Sequence, residues 1–356
     1  MNRVRKQSKE TVLLGMSGGK DSSVAAIMLQ EQGYEVIGIT FRFYEYENDT
    51  YYLDEARALA QQLGIRHITH DVREPFRKQI ITYFIDSYMK GETPVPCTFC
   101  NNHFKWPLML EIADKERIDY IATGHYIRKK YVSGNYYIAP GVDPDKDQSF
   151  FMWGLTQDIL ERMLLPLGNL TKDYVLQWAN QRGYQHQTQK KESVGVCFCP
   201  KDYRSFLRKQ MPADAFVQGN FIDEAGNVLG THDGYPFFTI GQRRGLGINL
   251  NRPIFVKDID IHTHNIILGS FSSLAYTSFP LRQWQVINLD ELLNLDEVEV
   301  RIRYRKQFNT GRVILKKNGQ LVVMLNQKLT AVAAGQAAVF YSDGRVLGGG
   351  IIDLRS

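Results

Sequence analysis

The sequence has few cysteines and no long apolar run. It holds four cysteines in 356 residues, and in a reducing cytosol so few thiols favour metal, cluster or catalytic use over permanent disulfides. No apolar run approaches the roughly 20 residues that a helix needs to span a bilayer. The basic N-terminus MNRVRKQSKE is followed by an apolar run of only five residues, which is too short for the core of a signal peptide. These absences predict a cytoplasmic protein with no membrane association.

The sequence also lacks an internal repeat, a long disordered segment and a strong net charge. Its formal charge is +5, with 44% hydrophobic and 23% charged residues, which is typical of a globular protein, and its length allows two or three domains. Most of the positive surplus falls at the end, since residues 281–356 contain 11 Lys/Arg and 7 Asp/Glu. A mildly basic terminal domain indicates a polyanionic partner.

Strand-like and helix-like segments alternate through the first half of the chain. Thr11–Leu14 is a short apolar run typical of a buried strand, Ser22–Gln32 has apolar residues at helical spacing, and Glu35–Phe43 has the pattern of the next strand. The alternation continues with helical patterns over 53–65 and 103–118 and strand patterns over 66–72 and 119–125. Repeated βαβ units predict an α/β fold, a doubly wound parallel sheet with helices on both faces.

After about residue 218 the pattern changes to short β-prone runs separated by glycine, asparagine and aspartate. Closely spaced strands of this kind predict a small β-domain followed by a β-barrel. We therefore expect three domains, with predicted bounds of 1–206 for the catalytic α/β domain, 207–273 for the central β-domain and 274–356 for the C-terminal β-barrel.

The stretch GMSGGKDSS, which begins at Gly15, joins the first predicted strand to the first predicted helix. Ligands of doubly wound sheets bind at this carboxyl end of the strands. Gly18 and Gly19 can take positive φ values that turn backbone N–H groups toward an anion, and the helix N-terminus adds its positive dipole. Lys20 is then a candidate phosphate ligand and Asp21 a candidate Mg²⁺ ligand. Further hydroxyl donors are Ser17, Ser22 and Ser23.

Two familiar phosphate-binding patterns, G-x-x-x-x-G-K-S/T and G-x-G-x-x-G, are absent from this loop. A glycine-rich turn that only packs helix on strand is the simplest alternative. The order of residues in SGGKDSS, however, resembles the PP-loop of the ATP pyrophosphatases. This resemblance implies an enzyme that splits ATP between its α- and β-phosphates and adenylates an oxygen of its substrate.

Further stretches, which follow in order from residue 12 to about residue 352, resemble one PP-loop family, the tRNA-specific 2-thiouridylases. They are GMSGGKDSSVAA, YIATGHY, GVDPDKDQSFF, GVCF, FTIGQRRGLGI, RYR and GQAAVFY. The family's three parts are a PP-loop domain, a small central β-domain and a C-terminal β-barrel. They agree with the domain pattern predicted above.

The resemblance implies a reaction on tRNA. The enzyme would flip out the wobble uridine, U34, adenylate the uracil O2 with ATP and Mg²⁺, and replace that oxygen with sulfur. Flipping costs little, because an anticodon base already lies in a loop. The family implies tRNAs for Lys, Glu and Gln and a sulfur-donor or relay protein. Two alternatives remain, another PP-loop adenylating enzyme such as an amidotransferase-like synthetase, and an RNA-binding β-protein with a vestigial nucleotide domain.

The resemblance also implies individual site residues. Those implied for ATP are Gly15, Met16, Ser17, Gly18, Gly19, Lys20, Asp21, Ser22, Phe41 and Gly124. Those implied for tRNA are His125, Lys146, Asp147, Gln148, Arg303, Tyr304 and Gln336. Those implied for the target base are Val95, Pro96 and Cys97. Without the resemblance, Phe41 would be a core aromatic, His125 a structural histidine and the loop around residue 146 a solvated turn.

The stretch RIRYRK near the end of the chain has alternating basic residues. In a strand, Arg301, Arg303 and Arg305 would share one face, and Ile302 and Tyr304 would share the other. Such a basic stripe is suited to phosphate contact. A solvated strand face is the alternative.

The four cysteines form two close pairs. Cys97 and Cys100 are spaced C-x-x-C, whereas Cys197 and Cys199 are spaced C-x-C. Structural zinc sites use wider and more regular spacing, which disfavours a zinc clip. Inert buried thiols are the other alternative.

The family gives two of these thiols a role. In its best-known form the first motif reads N-P-D-x-x-C-N, and its cysteine is a catalytic thiol. Cys100, followed by Asn101, matches that thiol, and Cys197 matches the cysteine that carries sulfur as a persulfide in one proposed mechanism. This chain departs from the motif, with Val95 in place of the Asn and Cys97 in place of the Asp.

The thiol at position 97 allows a second mechanism. Cys97, Cys100 and Cys197 would supply three thiolates, enough to hold three irons of a four-iron four-sulfur cluster whose fourth iron binds hydrosulfide. The alternative is persulfide transfer between Cys197 and Cys100, with a transient disulfide and with Cys97 as a spectator or resolving thiol. The replacement at position 97 favours the cluster, and Cys199 is an additional thiol in both cases.

Overall fold

The computed structural model describes residues 9–184, 195–248, 252–304 and 309–355. Contacts divide the chain into two units, the first of Met1–Arg77 with Cys100–Phe198 and the second of Lys78–Phe99 with Cys199–Ser356. A short segment of the N-terminal half, Lys78–Phe99, therefore belongs with the C-terminal half of the chain.

The helices begin and end largely where glycine and proline signals occur in the sequence. They are α1 Lys20–Glu31, α2 Tyr51–Leu63, α3 Arg73–Phe76, α4 Thr82–Met89, α5 Pro96–Cys100, α6 Trp106–Glu116, α7 Gln157–Arg162, α8 Lys172–Gln181, α9 Tyr203–Gln210 and α10 Leu289–Asn294. Gly64 ends α2 in the left-handed conformation, the backbone state that glycine adopts most readily. Within the described ranges, no helix is both long enough and apolar enough to cross a membrane.

The strands fall into two groups. In the first unit they are β1 Thr11–Gly15, β2 Glu35–Arg42, β3 Arg66–Asp71, β4 Tyr120–Thr123, β5 Ile127–Val132, β6 Asn135–Pro140 and β7 Met163–Leu164. In the second unit they are β8 Gly219–Ile222, β9 Val228–His232, β10 Phe255–Asp260, β11 Asn265–Gly269, β12 Ala275–Val286, β13 Val298–Arg301, β14 Thr310–Leu315, β15 Leu321–Thr330, β16 Ala337–Ser342 and β17 Arg345–Ile352.

The first unit is built on a parallel sheet of five strands in the order β3-β2-β1-β4-β7. Val12 and Leu14 of β1 lie in one apolar cluster with residues of α1, α2 and α8. Leu13 points to the opposite face because side chains alternate along a strand, and α6 contacts β1 and β4. Helices therefore cover both faces, and the predicted α/β class is confirmed.

The strand order reverses at β1, since β2 and β3 lie on one side of it and β4 on the other. Gly15 and Thr123, the last residues of β1 and β4, are direct neighbours in the sheet. Such a switch point is where doubly wound sheets bind ligands. The loops that follow β1 and β4 both carry residues that the sequence assigned to ATP.

Two helix boundaries differ from those expected. The first helix begins at Lys20, two residues before the apolar pattern. The helix expected over 103–118 is preceded by a π-helical turn at Asn101–Lys105 and becomes α-helical at Trp106. Apolar periodicity detects the packed part of a helix, and therefore misses a polar first turn and a change of helix type.

The second unit contains two β-structures. A four-stranded sheet has the order β10-β11-β8-β9, and its core includes Phe221, Val256 and Leu268. The last six strands close into a barrel in the order β12-β15-β14-β13-β16-β17, with antiparallel neighbours throughout. The predicted central β-domain and C-terminal barrel are therefore confirmed as fold elements.

The segment before α5 is joined to the barrel by three contacts. The carboxylate of Glu92, which is 6% exposed, accepts hydrogen bonds from both terminal nitrogens of Arg282 at 2.9 and 2.8 Å. Thr93 N donates to the carbonyl oxygen of Ala334 at 2.8 Å, and Gln336 Nε2 donates to the carbonyl oxygen of Thr93 at 2.8 Å. The barrel thus fixes the backbone immediately before Val95.

We expect Arg282→Met to destabilise the second unit, because it leaves the buried Glu92 carboxylate without its cation. Removing one partner of a buried pair typically costs about 3–5 kcal/mol, and the 31% exposure of the Arg282 side chain places this pair toward the lower value. Urea denaturation measures the effect. The double variant Arg282→Met/Glu92→Gln should recover part of the loss, and a single variant as stable as the parent would contradict the assignment.

Candidate active site

The loop between β1 and α1 is held open by its own serines. Ser22 Oγ accepts a hydrogen bond from Ser17 N at 3.2 Å and donates one to the carbonyl oxygen of Gly19 at 3.1 Å. Gly19 N donates to Ser17 Oγ at 3.3 Å. The N-cap of α1 is Gly19, so no side chain caps the helix. Its first N–H groups are therefore directed at any anion bound in the loop.

Gly18 occupies a position that only glycine fits. Its φ is +71°, and a Cβ there would lie 2.7 Å from the carbonyl oxygen of Tyr52. Both the left-handed backbone and the close approach of α2 require the absence of a side chain. The loop can therefore hold its curvature against α2 without strain.

Asp21, in the first turn of α1, is the centre of a charged contact. Its Oδ1 accepts hydrogen bonds from Lys172 Nζ at 2.6 Å and from Tyr126 OH at 2.8 Å. Lys172 is buried, and its ammonium lies 5.7 Å from the centre of the Tyr126 ring. Both partners use Oδ1. The sequence did not single out Lys172, whose lysine type and helix-start position carried no signal of this role.

The loop after β4 packs directly on the start of α1. A Cβ on Gly124 would lie 2.7 Å from the backbone carbon of Asp21 and 2.8 Å from Ser22 N. Glycine therefore lets the two loops meet backbone to backbone. The structure brings together the predicted ATP residues of Gly15–Ser22 with Gly124.

Phe41, the other residue implied for ATP, is buried in an aromatic cluster. Its ring centre lies 5.3 Å from that of Phe43 and 6.2 Å from that of His70. This is the core position that its residue type alone would predict. Its role in binding adenine stays a prediction.

His125 follows Gly124 and is held by two neighbours. Its Nδ1 lies 2.5 Å from Thr123 Oγ1, and its Nε2 lies 3.3 Å from Lys105 Nζ. Because an ammonium only donates, Nε2 accepts and the ring proton sits on Nδ1. Burial, and then the charge of Lys105, hold the pKa of His125 well below its usual value. The imidazole is therefore neutral at pH 7.

The first cysteine pair lies on one short helix. Pro96 is the first residue of α5 and Cys100 is the last, and proline suits the first turn because that turn needs no N–H donor. Val95 accepts at its carbonyl oxygen from Thr98 N at 3.1 Å and from Thr98 Oγ1 at 2.7 Å. The predicted contacts of the target base therefore form the N-terminus of α5.

The two segments that carry Cys100 and Cys197 share one aromatic anchor. Phe104, one turn after Cys100, has its ring centre 5.7 Å from that of Phe76. Phe198, directly after Cys197, has its ring centre 5.9 Å from the same Phe76 ring. The first unit therefore brings both segments onto Phe76. Two signals of this cluster were visible in the sequence, since Phe104 and Phe198 lie next to cysteine motifs, but there was no signal of Phe76, which is distant from both motifs.

The four cysteines differ in their exposure. Cys197 is exposed, while Cys97, Cys100 and Cys199 are half-buried. Burial, and then the carboxylate of Asp202, raise the pKa of the Cys199 thiol, which disfavours the thiolate that a nucleophile needs. Within the described parts of the chain, no three histidine, cysteine, aspartate or glutamate side chains are close enough to hold a metal ion.

The predicted tRNA loop around residue 146 is folded by its own polar side chains. Asp147 Oδ1 accepts from Gly141 N at 3.1 Å and from Ser149 N at 3.0 Å. Gln148 Oε1 accepts from Tyr126 N at 3.0 Å, while Gln148 N donates to the carbonyl oxygen of Tyr126 at 3.3 Å. Asp147 and Gln148 thus shape the loop, and Lys146 lies half-exposed on it.

The expected basic stripe of RIRYRK is wrong in its first residues. Strand β13 ends at Arg301, so the chain bends and the alternation of faces stops. Arg301 and Ile302 are both buried, and Arg301 pairs with Glu299 at 2.7 Å and lies 3.8 Å from the centre of the Tyr341 ring. Arg303 and Tyr304 are exposed, and Arg305 lies outside the described residues.

We expect Gly124→Ala to weaken ATP binding by at least about tenfold, because its Cβ would displace the first turn of α1. Displacing a positioned group by ~1 Å can reduce activity by more than this factor. Isothermal titration with ATP measures this. Gly230→Ala is the matched control, since its Cβ would meet nothing closer than 3.5 Å. Equal ATP affinity in both variants would refute the role of this contact.

Comparison with protein families gives three consecutive matches along the chain. Residues 10–201 match the tRNA methyl transferase HUP domain, residues 204–270 the tRNA methyl transferase PRC-barrel domain, and residues 278–352 the aminomethyltransferase beta-barrel domain. The first match covers more than half of the chain and includes the nucleotide loop. The class is therefore a PP-loop protein with two appended β-domains.

Full-length relatives narrow the class. The chain is 57% identical to tRNA-specific 2-thiouridylase MnmA 2 of Phocaeicola vulgatus, over 97% of this chain and 99% of that protein. It is 55% identical to tRNA-specific 2-thiouridylase MnmA 1 of Bacteroides fragilis, over 98% of both. Among solved structures, a predicted subunit of tRNA methyltransferase from Methanocaldococcus jannaschii matches at TM-score 0.33 and 19% identity, over 48% of this chain and 76% of its own. The chain belongs to the MnmA/TrmU family of tRNA-specific 2-thiouridylases, as its sequence motifs predicted.

Proposed function

We propose that this protein is a tRNA-uridine 2-sulfurtransferase that uses ATP to replace the O2 oxygen of the wobble uridine, U34, with sulfur. The observation that carries the proposal is that the first unit contains both a nucleotide-type loop and two cysteine segments. It holds an open anion-binding loop at the strand switch point and two cysteine segments packed on Phe76. An adenylating loop and paired thiols are the two chemical elements that thiolation requires.

The loop residues fit a nucleotide triphosphate. The uncapped start of α1 and the serine hydroxyls offer donors for phosphate oxygens. Lys20, at the first position of α1, supplies a positive charge there. Asp21 would hold Mg²⁺ through a carboxylate oxygen, the ligand type that this ion prefers. Gly15, Met16, Ser17, Gly18, Gly19, Ser22, Gly124 and Phe41 complete the proposed ATP site.

The chemistry we propose has two stages. The uracil O2 attacks the α-phosphorus of ATP, the bond to the β-phosphate breaks, and pyrophosphate leaves. A sulfur nucleophile then adds at C2, and the oxygen leaves as AMP, a far better leaving group than an oxide. Neutral His125, held by Thr123 and Lys105, would select the tRNA beside this loop.

Sulfur delivery is assigned to Cys100 and Cys197, with Cys97 as the third thiol. Persulfide transfer would pass sulfur from Cys197 and leave a transient disulfide with Cys100. A four-iron four-sulfur cluster on the three thiolates is the other form of this proposal, and thiolates are its proper donors. Among the described residues, no group of three such side chains that could hold a metal ion is found.

The tRNA contacts we propose are His125, Lys146, Asp147, Gln148, Arg303, Tyr304 and Gln336, and those of the target base are Val95, Pro96 and Cys97. Isoacceptors for Lys, Glu and Gln, a protein sulfur donor and a cytoplasmic location complete the proposal. We also propose the domain bounds 1–206, 207–273 and 274–356. The half-exposed Lys146 of the first unit and the exposed Arg303 and Tyr304 of the second support these contacts individually.

We expect Asp21→Ala to abolish tRNA-dependent release of pyrophosphate from ATP while leaving tRNA binding largely intact. The reason is that Asp21 lies in the nucleotide loop, whereas Arg303, Tyr304 and Gln336 of the proposed tRNA contacts lie in the second unit and would keep most of the tRNA affinity. A pyrophosphate assay with and without unmodified tRNA, and detection of 2-thiouridine in the product, measure both steps. Pyrophosphate release that needs a small amide or acid acceptor and no tRNA would favour a synthetase instead.

A thiolation assay on anaerobically purified protein distinguishes the two forms of sulfur delivery. If a cluster is used, iron and sulfide reconstitution should raise thiolation, give an iron–sulfur absorption band, and fail in Cys97→Asp. If a persulfide is used, iron-free protein should be fully active, Cys97→Asp should keep activity and Cys197→Ala should lose it. Bound iron and sulfide, measured chemically, provide a readout independent of activity.

A further inference from the structure

One motif of the sequence, FTIGQRRGLGI, has no role in the function proposed above. It forms a loop of the central β-domain, between Tyr235 and β10. Arg243 and Arg244 at its tip are both exposed. Among the described residues, neither guanidinium lies within ion-pair distance of a carboxylate, in contrast to Arg282 and Arg301.

The backbone of this loop is rigidly braced. Gly241 N donates to the carbonyl oxygen of Val256 at 2.8 Å, and Val256 N returns a bond to Gln242 O at 2.9 Å. The Gln242 side chain accepts from Thr239 N at 3.2 Å and donates to the carbonyl oxygen of Arg244 at 2.9 Å. Both arginines are therefore presented by an ordered backbone.

The loop also follows a path that ordinary residues avoid. Gly241, Gly245 and Gly247 have φ values of +82°, +75° and +68°, which glycine adopts without strain. Leu246 between them is buried in the core of the central β-domain. A buried leucine and left-handed glycines hold the two exposed arginines in place from the C-terminal side.

The loop lies against the same barrel residue that Arg303 contacts. A Cβ on Gly241 would lie 3.0 Å from the Cβ of Ala331, and Arg303 Nη2 donates to the carbonyl oxygen of Ala331 at 3.3 Å. Ala331 itself has a φ of +58°, a strained state for a residue with a side chain. Ala331 therefore joins the arginine loop to the proposed tRNA contacts Arg303 and Tyr304.

We infer that Arg243 and Arg244 bind backbone phosphates of the tRNA and form one surface with Arg303. Planar guanidiniums match phosphate oxygens in pairs, and Tyr304, which is 40% exposed, offers an aromatic face to a base or ribose. The adjacent arginine and aromatic favour RNA over an acidic protein as the partner. The inference rests on the proposed function, because tRNA is its substrate.

The test is the affinity for an unmodified tRNA transcript, measured by fluorescence anisotropy over a range of salt concentrations. Arg243→Gln/Arg244→Gln should weaken binding on the order of tenfold or more at low salt. It should also flatten the slope of log K against log salt by about one to two units, if each arginine meets one phosphate. Arg243→Lys/Arg244→Lys, which keeps the charge, should retain most of that slope.

The matched control is Lys115→Gln/Arg66→Gln, which removes two positive charges at the amino edge of the parallel sheet. It should leave the affinity and the slope unchanged, and thermal melting should show the parent fold in every variant. ATP binding in the arginine variant should also match the parent. Arg303→Ala, compared alone and combined with the loop variant, reports whether the two contacts share one surface.

Each of three results would overturn the inference. Parent-like affinity and parent-like salt slope in Arg243→Gln/Arg244→Gln would refute the proposed phosphate contact. The same result with loss of sulfur transfer from a protein donor would assign the loop to that protein instead. Failure of the parent chain to bind tRNA at all would overturn the proposed function as well, so the two failures are distinguishable.

Discussion

The carboxylate of Asp21 is the contact on which the first unit depends. A buried ammonium is tolerated only beside an anion, so Lys172 and Asp21 fix α8 against the start of α1. Tyr126 adds a second bond to the same oxygen, and its backbone is tied to Gln148. Lys172 N in turn donates to Asp143 Oδ2 at 2.9 Å. The nucleotide loop and the proposed tRNA loop therefore share their supports, and a ligand that moves Asp21 would act on both.

The second unit gives the cysteine helix a support of a different kind. Glu92 and Arg282 are 190 residues apart in sequence, yet their bidentate pair fixes the backbone that leads to Val95 and α5. Gln336, which the family resemblance implies for tRNA, uses its side-chain amide to hold Thr93. A change at Gln336 would therefore alter the position of the target-base segment as well as any contact with RNA, and the two effects need separate readouts.

The parallel sheet and its nucleotide loop were predictable from sequence because their signals are local. Apolar runs, glycines and the order of residues in SGGKDSS all lie within about 30 residues, the span of one βαβ unit. Lys172, Phe76 and the membership of Lys78–Phe99 in the second unit depend on contacts between distant residues, which one sequence does not encode as a pattern. The error at Arg301 has the same origin, since alternation assumes a continuing strand and β13 ends there.

The arginines of the C-terminal half show why net charge alone locates a nucleic-acid surface poorly. Arg301 is buried beside Glu299 and Tyr341, and Arg282 pairs with Glu92. Both arginines count toward the basic surplus, although their charges are already paired inside the protein. Arg243, Arg244 and Arg303 are exposed, and the first two lie outside the segment where the surplus was counted. An arginine whose charge is already balanced inside the protein gains little from a phosphate. The surface that we propose for a polyanion is therefore defined by exposed arginines beside Ala331, in the central β-domain as well as in the barrel.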